Sequence, residues 1–208
     1  GNARRGVDYY VRQHSQPALR LRPFIAYKSV NAFFQGVWGT AYVGLMAPLP
    51  PEVFSAGGIG FSLGTSLVAL AYSKLFNLFW FFRISVGVEV IALLSVIAIL
   101  LYPMGFTMAA GVYLGFQLAL IFGNYLVRLE TLVIATDKFK PVDLGKSIGA
   151  LLGLASAAGF YQWGRTWLET DDSLALIQLI HYPLLLVQLT TLWLLLVSFD
   201  RRRFDEPL

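Results

Sequence analysis

Six long apolar stretches, separated by short polar connections, occupy most of this chain. They are Ser29–Leu49, Val53–Ser73, Ile84–Tyr102, Phe106–Val127, Ser147–Gly164 and Leu174–Phe199. About 20 apolar residues in a helix cross a hydrocarbon core of about 30 Å, and each stretch is near that length. The pattern predicts an all-α, polytopic membrane protein with six transmembrane helices. Residues 29–199 would form the bundle, residues 1–28 a basic interfacial arm and residues 200–208 a basic tail.

The positive charges are sorted to one side of these predicted spans. If successive connections lie on alternate sides of the membrane, 15 of the 16 lysines and arginines fall on one side and only Arg165 falls on the other. Connections rich in lysine and arginine stay in the cytoplasm. We therefore expect both termini to be cytoplasmic, in an inner or plasma-type membrane.

Composition excludes several classes of protein. Hydrophobic residues make up 57% of the chain and charged residues only 13%, which is outside the range of soluble domains. The net charge of +4 comes from the cytoplasmic clusters, so it indicates a lipid bilayer with anionic headgroups as the partner and not a nucleic acid. Cysteine is absent, which excludes disulfides and thiolate chemistry. The first 28 residues carry no signal-peptide pattern, so we expect the first span to direct its own insertion.

Small residues recur four positions apart in four of the spans. In lipid, helices associate largely through close backbone approach and van der Waals contact, and small residues permit both. We therefore predict a tightly packed bundle in which glycines lie at helix contacts: Gly36, Gly60, Gly64, Gly111, Gly115, Gly149 and Gly153.

The two halves of the chain are weakly alike. Residues Ile59–Gly64 of the second span match Ile148–Gly153 of the fifth, and the same offset aligns Tyr72 with Tyr161. Because each half holds three spans, the second half would be inverted in the membrane. The fold class therefore includes a possible 3+3 inverted repeat, an architecture common among secondary transporters.

Glu89 is the one acidic residue well inside a predicted span, and intramembrane charges are functional candidates by default. Counting from Arg83 places Glu89 in the cytoplasmic third, where we expect Arg128 or Lys146 as its partner. Two interpretations stay open, a carboxylate that couples ions or forms part of a gate, and a fixed ion pair between helices. Glu130, at the end of span four, is a further candidate gate charge.

Uncharged polar residues give a second set of candidates. Those that would line a polar cavity are Asn31, Gln35, Gln117, Asn124 and His181, together with Gln162 and Gln188. Their alternative role is hydrogen bonding between helices. A transporter would gather these amides and Glu89 around one cavity, whereas a structural subunit would scatter them.

Catalytic patterns are missing from the sequence. It has no zinc-protease, nucleophile-elbow or phosphate-loop motif. The two histidines, His14 and His181, do not provide paired axial ligands for a membrane haem. We expect no enzymatic activity, no cofactor and no metal.

The six-span layout, the basic central loop and the glycine-rich fifth span resemble one half of a major-facilitator-type transporter. Residues 141–149 are similar to the entry into the fifth helix of that family. The loop after the second span keeps one basic residue of the family pattern, Lys74, and lacks the others. The resemblance implies a half-transporter bundle that needs a second copy or other membrane subunits. The alternative function is a non-catalytic structural or assembly subunit of a larger membrane complex.

Overall fold

The computed structural model describes residues 19–167, 169 and 172–200, so the predictions for most of the arm and for the tail beyond residue 200 lie outside the described residues. Most of the described chain is helical. Its helices are α1 (Leu21–Met46), α2 (Pro51–Leu70), α3 (Tyr72–Leu75), α4 (Leu78–Leu101), α5 (Phe106–Ile121), α6 (Gly123–Val133), α7 (Phe139–Trp167) and α8 (Ser173–Ser198), with a 3-10 turn at Thr136–Lys138.

Four helical segments are long and apolar enough to cross a bilayer: Pro51–Leu70, Leu78–Leu101, Phe106–Val133 and Ser173–Ser198. Large apolar side chains cover their outer surfaces, as at Leu70, which is 82% exposed. Soluble monomers rarely expose apolar patches of this extent. These features confirm the predicted all-helical class and indicate an integral membrane protein.

The helices extend past the apolar stretches at several ends. α1 begins at Leu21 and α4 at Leu78, each several residues before the first residue of the predicted span. Residues 21–28 therefore form the first turns of α1, and the boundary of the interfacial arm at residue 28 stays a prediction. Charged residues such as Lys28 and Arg83 end an apolar stretch but leave the backbone hydrogen bonds of a helix intact. Pro23 is tolerated because it lies in the first turn, where backbone N–H groups have no helical partner.

The long helices contact one another in a simple order. α1 packs between α7 and α8, α8 packs on α4, α4 on α5, and α5 on α2. This order is preserved when the first three long helices are exchanged with the last three, so that α1 replaces α5, α2 replaces α7 and α4 replaces α8.

The closest helix pair, α1 with α7, depends on glycine. A Cβ atom placed at Gly149 would overlap the carbonyl of Ser29, and one at Gly153 would overlap the carbonyl of Phe33. On the facing helix, a Cβ at Gly36 would lie 2.7 Å from the Ala150 carbonyl oxygen. Backbone therefore meets backbone along this interface, which only residues without a side chain allow.

The other predicted glycine contacts differ. Gly64 abuts the side chain of Ile121, and a Cβ at Gly115 would stand 3.4 Å from Ile91, an ordinary contact distance. Gly60 and Gly111 have no atom within 4 Å of such a Cβ, which corrects the prediction that they pack against helices. α2 meets α5 through another face, where the Tyr113 ring fills the space beside Gly57 and the Tyr113 hydroxyl donates to the Phe54 carbonyl at 3.2 Å.

The two ends of the described chain meet. Leu19 and Phe199 form an antiparallel bridge, and the Arg20 N–H donates to the Ser198 carbonyl at 2.7 Å. The start of α1 and the end of α8 therefore lie at the same end of the bundle.

Candidate binding cavity

A cavity of about 470 Å³ lies between α1, α4 and the α5–α6 segment. Its polar wall consists of Tyr27, Lys28, Asn31, Gln35, Glu89 and Ser95, and its aromatic wall of Phe34, Trp38, Tyr42 and Phe116. The volume is in the range of small-molecule binding sites, which combine mostly apolar walls with a few placed polar groups.

α1 supplies one whole side of this cavity. Its lining residues recur every three or four positions, from Tyr27 through Asn31 and Trp38 to Tyr42. At 3.6 residues per turn this spacing keeps them on one face of the helix. Gly36 lies on a different face, against α7. α1 thus turns one face to the cavity and another to α7.

The Glu89 carboxylate is the centre of a hydrogen-bond network. The side chain is buried, and its Oε1 accepts from the Tyr27 hydroxyl at 2.7 Å and from Asn31 Nδ2 at 2.8 Å. Its Oε2 accepts from Gln188 Nε2 at 2.8 Å. Gln35 extends the network by donating to Asn31 Oδ1 at 2.7 Å. α1 and α8 therefore hold the carboxylate of α4 from two directions.

The predicted ion pair of Glu89 is wrong. Arg128 is exposed, and Lys146 bonds to Glu130 at 2.6 Å. Among the described residues no cation lies within ion-pair distance of Glu89, and its three side-chain partners are neutral donors. Glu89 is the twelfth of the 24 residues of α4 and so lies at the middle of the helix. Residue counting gave its approximate depth, but the direction of the side chain depends on how α4 is rotated in the bundle.

The charges at one end of the cavity form a separate cluster. Lys28 of α1 lies 2.5 Å from Glu130 Oε2, and Lys146 of α7 lies 2.6 Å from Glu130 Oε1 and 3.8 Å from Asp143. The Lys28 ammonium also lies over the Phe24 and Tyr27 rings, 5.4 and 5.6 Å from their centroids. This cluster joins α1, α6 and α7, and its two lysines are matched by two carboxylates.

Four aromatic rings follow one another along the cavity wall. Phe34 stacks on Trp38 with centroids 5.9 Å apart, Trp38 lies 6.4 Å from Tyr42, and Tyr42 lies 5.0 Å from Phe116. Tyr42 and Lys28 are near opposite ends of the lining stretch of α1, so the Tyr42–Phe116 contact and the Lys28–Glu130 contact mark the two ends of the cavity.

The helix opposite α1 is interrupted beside the cavity. α5 ends at Ile121 and α6 begins at Gly123, and the intervening Phe122 N–H bonds to the Ala119 carbonyl in a tightened turn. Gly123 lines the cavity, as does Gly39 of α1. A Cβ atom at either glycine would meet nothing within 4 Å, so both positions accept a side chain that would extend into open space.

Five of the seven predicted cavity residues are elsewhere. Gln117 is half-buried and Asn124 is exposed, and neither lines the cavity because Phe116, Leu120 and Gly123 occupy the face of α5–α6 turned toward it. His181 is buried in the core, with Nδ1 2.5 Å from the Ile177 carbonyl oxygen and its ring edge against Trp38. Gln162 is exposed on α7, and Gln188 is buried outside the lining, so only Asn31 and Gln35 of the seven predicted polar residues line the cavity.

Several residues of the site were missed by sequence reasoning. Tyr27 and the aromatic wall were not selected, and Lys28 was counted only as a cytoplasmic charge. A signal was present, because Tyr27, Asn31, Gln35, Trp38 and Tyr42 share one helical face. Gln188 was named among the amides, but its contact with a residue 99 positions away has no sequence signature.

Comparison with known proteins gives no relative for this arrangement. No family profile matches the chain, and no curated protein or solved structure is detectably similar to it. The functional conclusion therefore depends on the site itself.

Proposed function

We propose that this chain is a membrane protein of transport type whose substrate or coupling site is the cavity around Glu89. One observation carries the proposal. A buried intramembrane carboxylate is held by neutral donors only, and it lines a cavity large enough for a small molecule. Charged residues at such depth are costly and mark ion or substrate pathways. An ion-paired strut would have needed a cation beside Glu89.

The hydrogen-bond partners of Glu89 suit both its charged form and its protonated form. Its donors Tyr27, Asn31 and Gln188 stabilise the carboxylate as it stands. The side-chain oxygen of Gln188 is buried and has no partner among the described residues. If the Gln188 amide turns over, that oxygen accepts a hydrogen bond from the hydroxyl of a protonated Glu89, in exchange for the bond that Gln188 Nε2 donates to the Glu89 backbone carbonyl. The site therefore has a hydrogen-bond arrangement for the charged and for the protonated form.

The proposal includes six spans. α1 and α7 have 26 and 29 residues, enough at 1.5 Å per residue to cross the bilayer. Their mean hydropathy is lowered by glycines and by amides, and the amides of α1 face the cavity and not the outer surface. The contact between Arg20 and Ser198 supports an even number of crossings, and the basic connections favour a cytoplasmic location of both ends.

The 3+3 inverted repeat is part of the same proposal. The order of helix contacts is preserved when the two halves are exchanged, as expected for two related three-helix units. α4 and α8 would lie at the pseudo-symmetry axis, where Glu89 of one half meets Gln188 of the other. Transporters with such repeats bind substrate near the interface between them.

The charged cluster would serve as a gate at the cytoplasmic end. Glu130 binds two lysines on two other helices, and Lys28 also lines the cavity. Separation of α6 from α1 and α7 would break both contacts together, and the interruption at Phe122 gives α6 a point about which to move.

The functional unit would contain a second copy or a partner subunit. α2 has no buried residue and exposes small residues four apart, Gly58, Ser62 and Ser66. α7 exposes Ala155 and Gly159 in the same way. Such faces permit close approach of another helix. They also favour the second candidate function, a structural subunit without its own substrate.

Single cysteines separate these two functions, because the natural chain has none. In a transporter, Gly39→Cys is water-accessible in the cavity, and a membrane-impermeant thiol reagent labels it from each side of sealed vesicles in turn. Gly60→Cys is the matched control, because this glycine also has open space at Cβ but lies outside the cavity. It should stay unlabelled.

Equal, slow labelling of the two cysteines from both sides would contradict a transport role and favour a structural subunit. Labelling of Gly39→Cys from one side only would restrict the cavity to a fixed pocket without alternating access.

A further inference from the structure

We infer that the cavity selects an organic cation, with a positive nitrogen or phosphorus centre carried on an apolar or aromatic body. This inference rests on the proposed function, since it names the substrate class of the same site. It follows from the charge balance of the cavity, the aromatic wall and the size of the space.

The charge balance favours a positive ligand. Lys28 and Lys146 are bound to Glu130, and Asp143 lies 3.8 Å from Lys146. These two cations and two anions compensate one another. Glu89 has no cation within ion-pair distance among the described residues, and Lys28, the other charge in the cavity wall, is bound to Glu130 and attracts Glu89 only from farther away. Burial strengthens the attraction of Glu89 for a cation, because the surrounding dielectric screens poorly.

The aromatic wall favours an organic cation. Trp38, Tyr42 and Phe116 line the same cavity as Glu89. Aromatic faces attract cations electrostatically, and tryptophan does so best. A transition-metal ion fits poorly, since no group of three or more His, Cys, Asp or Glu side chains occurs in the described part of the chain. A cavity volume of about 470 Å³ also suits a small organic molecule better than a single ion.

Two ions of the same shape and opposite charge test the inference directly. Tetraphenylphosphonium is the cation and tetraphenylborate the matched anion. The purified chain is reconstituted in lipid nanodiscs, and binding is measured with radiolabelled ligand after subtraction of empty discs. We expect saturable binding of the phosphonium at least about tenfold tighter than of the borate, a difference of about 1.4 kcal/mol.

Two variants locate the binding. Glu89→Gln should weaken phosphonium binding about tenfold or more and leave the borate little affected. Gly39→Leu should abolish phosphonium binding by filling the cavity, whereas Gly60→Leu, in open space outside it, should not. The comparison of the two ions on the unaltered chain remains decisive even if a variant fails to fold.

Binding of the borate as tight as that of the phosphonium would overturn the inference, as would phosphonium binding that survives both Glu89→Gln and Gly39→Leu. These failures differ from failure of the proposed function. A cavity that labels at Gly39→Cys but lacks cation preference rejects only the substrate class. A cavity that does not label rejects the transport role.

Discussion

Glu89 shows how one buried residue takes its role from its partners. It accepts hydrogen bonds from three neutral side chains on two other helices. Removal of the whole side chain would leave these donors buried without acceptors, whereas removal of its charge alone would leave most of the network in place. The two kinds of substitution should therefore differ in their effect on stability.

At this scale we predict that Glu89→Gln melts close to the parent. The glutamine carbonyl still accepts from Tyr27 and Asn31, and turning over the Gln188 amide restores the third side-chain bond in exchange for the bond to the backbone carbonyl of residue 89. Glu89→Ala should lose about 1–3 kcal/mol of unfolding free energy for each donor left unsatisfied. Thermal denaturation in mild detergent measures both. A Glu89→Gln variant as unstable as Glu89→Ala would instead indicate that the charge itself is structural, as in a strut.

The helix pair α1–α7 shows how packing depends on single hydrogen atoms. Gly149 and Gly153 lie directly against the backbone of α1, so the interaxial distance is set by the absence of a Cβ. The same residue type on α5, at Gly111, faces open space. Rows of glycine that look alike in the sequence therefore differ in whether they lie at a helix contact.

At the scale of the element we predict that Gly149→Ala destabilises the protein by about 1–3 kcal/mol, since overpacking of a close contact forces the two backbones apart. Gly111→Ala is the matched control. It should be neutral, or stabilising by up to about 1 kcal/mol through better helix propensity. Melting temperature and the yield of monodisperse protein report both variants. Equal behaviour of the two would show that α1 and α7 are not in backbone contact.

The whole bundle has an arrangement that its separate helices do not reveal. The order in which its helices contact one another is the same after the two halves are exchanged. Both ends of the described chain meet at one end of the bundle. An even number of crossings follows if every long helix spans the membrane.

At this scale we predict that the turn at Lys138 is cytoplasmic and the segment at Asp171 is on the opposite side. Cysteines introduced singly at these two positions should react with an impermeant reagent from opposite faces of oriented vesicles. Labelling of both from the same face would mean that α7 does not cross, and the six-span proposal would be wrong.

The sequence alone determined the class of protein and the approximate positions of its long helices, and it selected Glu89 as a candidate site residue. These properties depend on local hydropathy and on the cost of a charge in lipid, and both are readable residue by residue. The sequence also contained the set of residues from Tyr27 to Tyr42 that share one face of α1, because positions on one helical face repeat with a known period.

Only the tertiary structure decided which faces meet. It paired Glu89 with Tyr27, Asn31 and Gln188 in place of Arg128 or Lys146, and it excluded Gln117, Asn124 and His181 from the cavity. It also separated the glycines that pack, such as Gly149, from those that do not, such as Gly60. The physical reason is rotation about the helix axis. Sequence periodicity fixes which residues share a face, but the direction of that face is set by the packing of all the helices together.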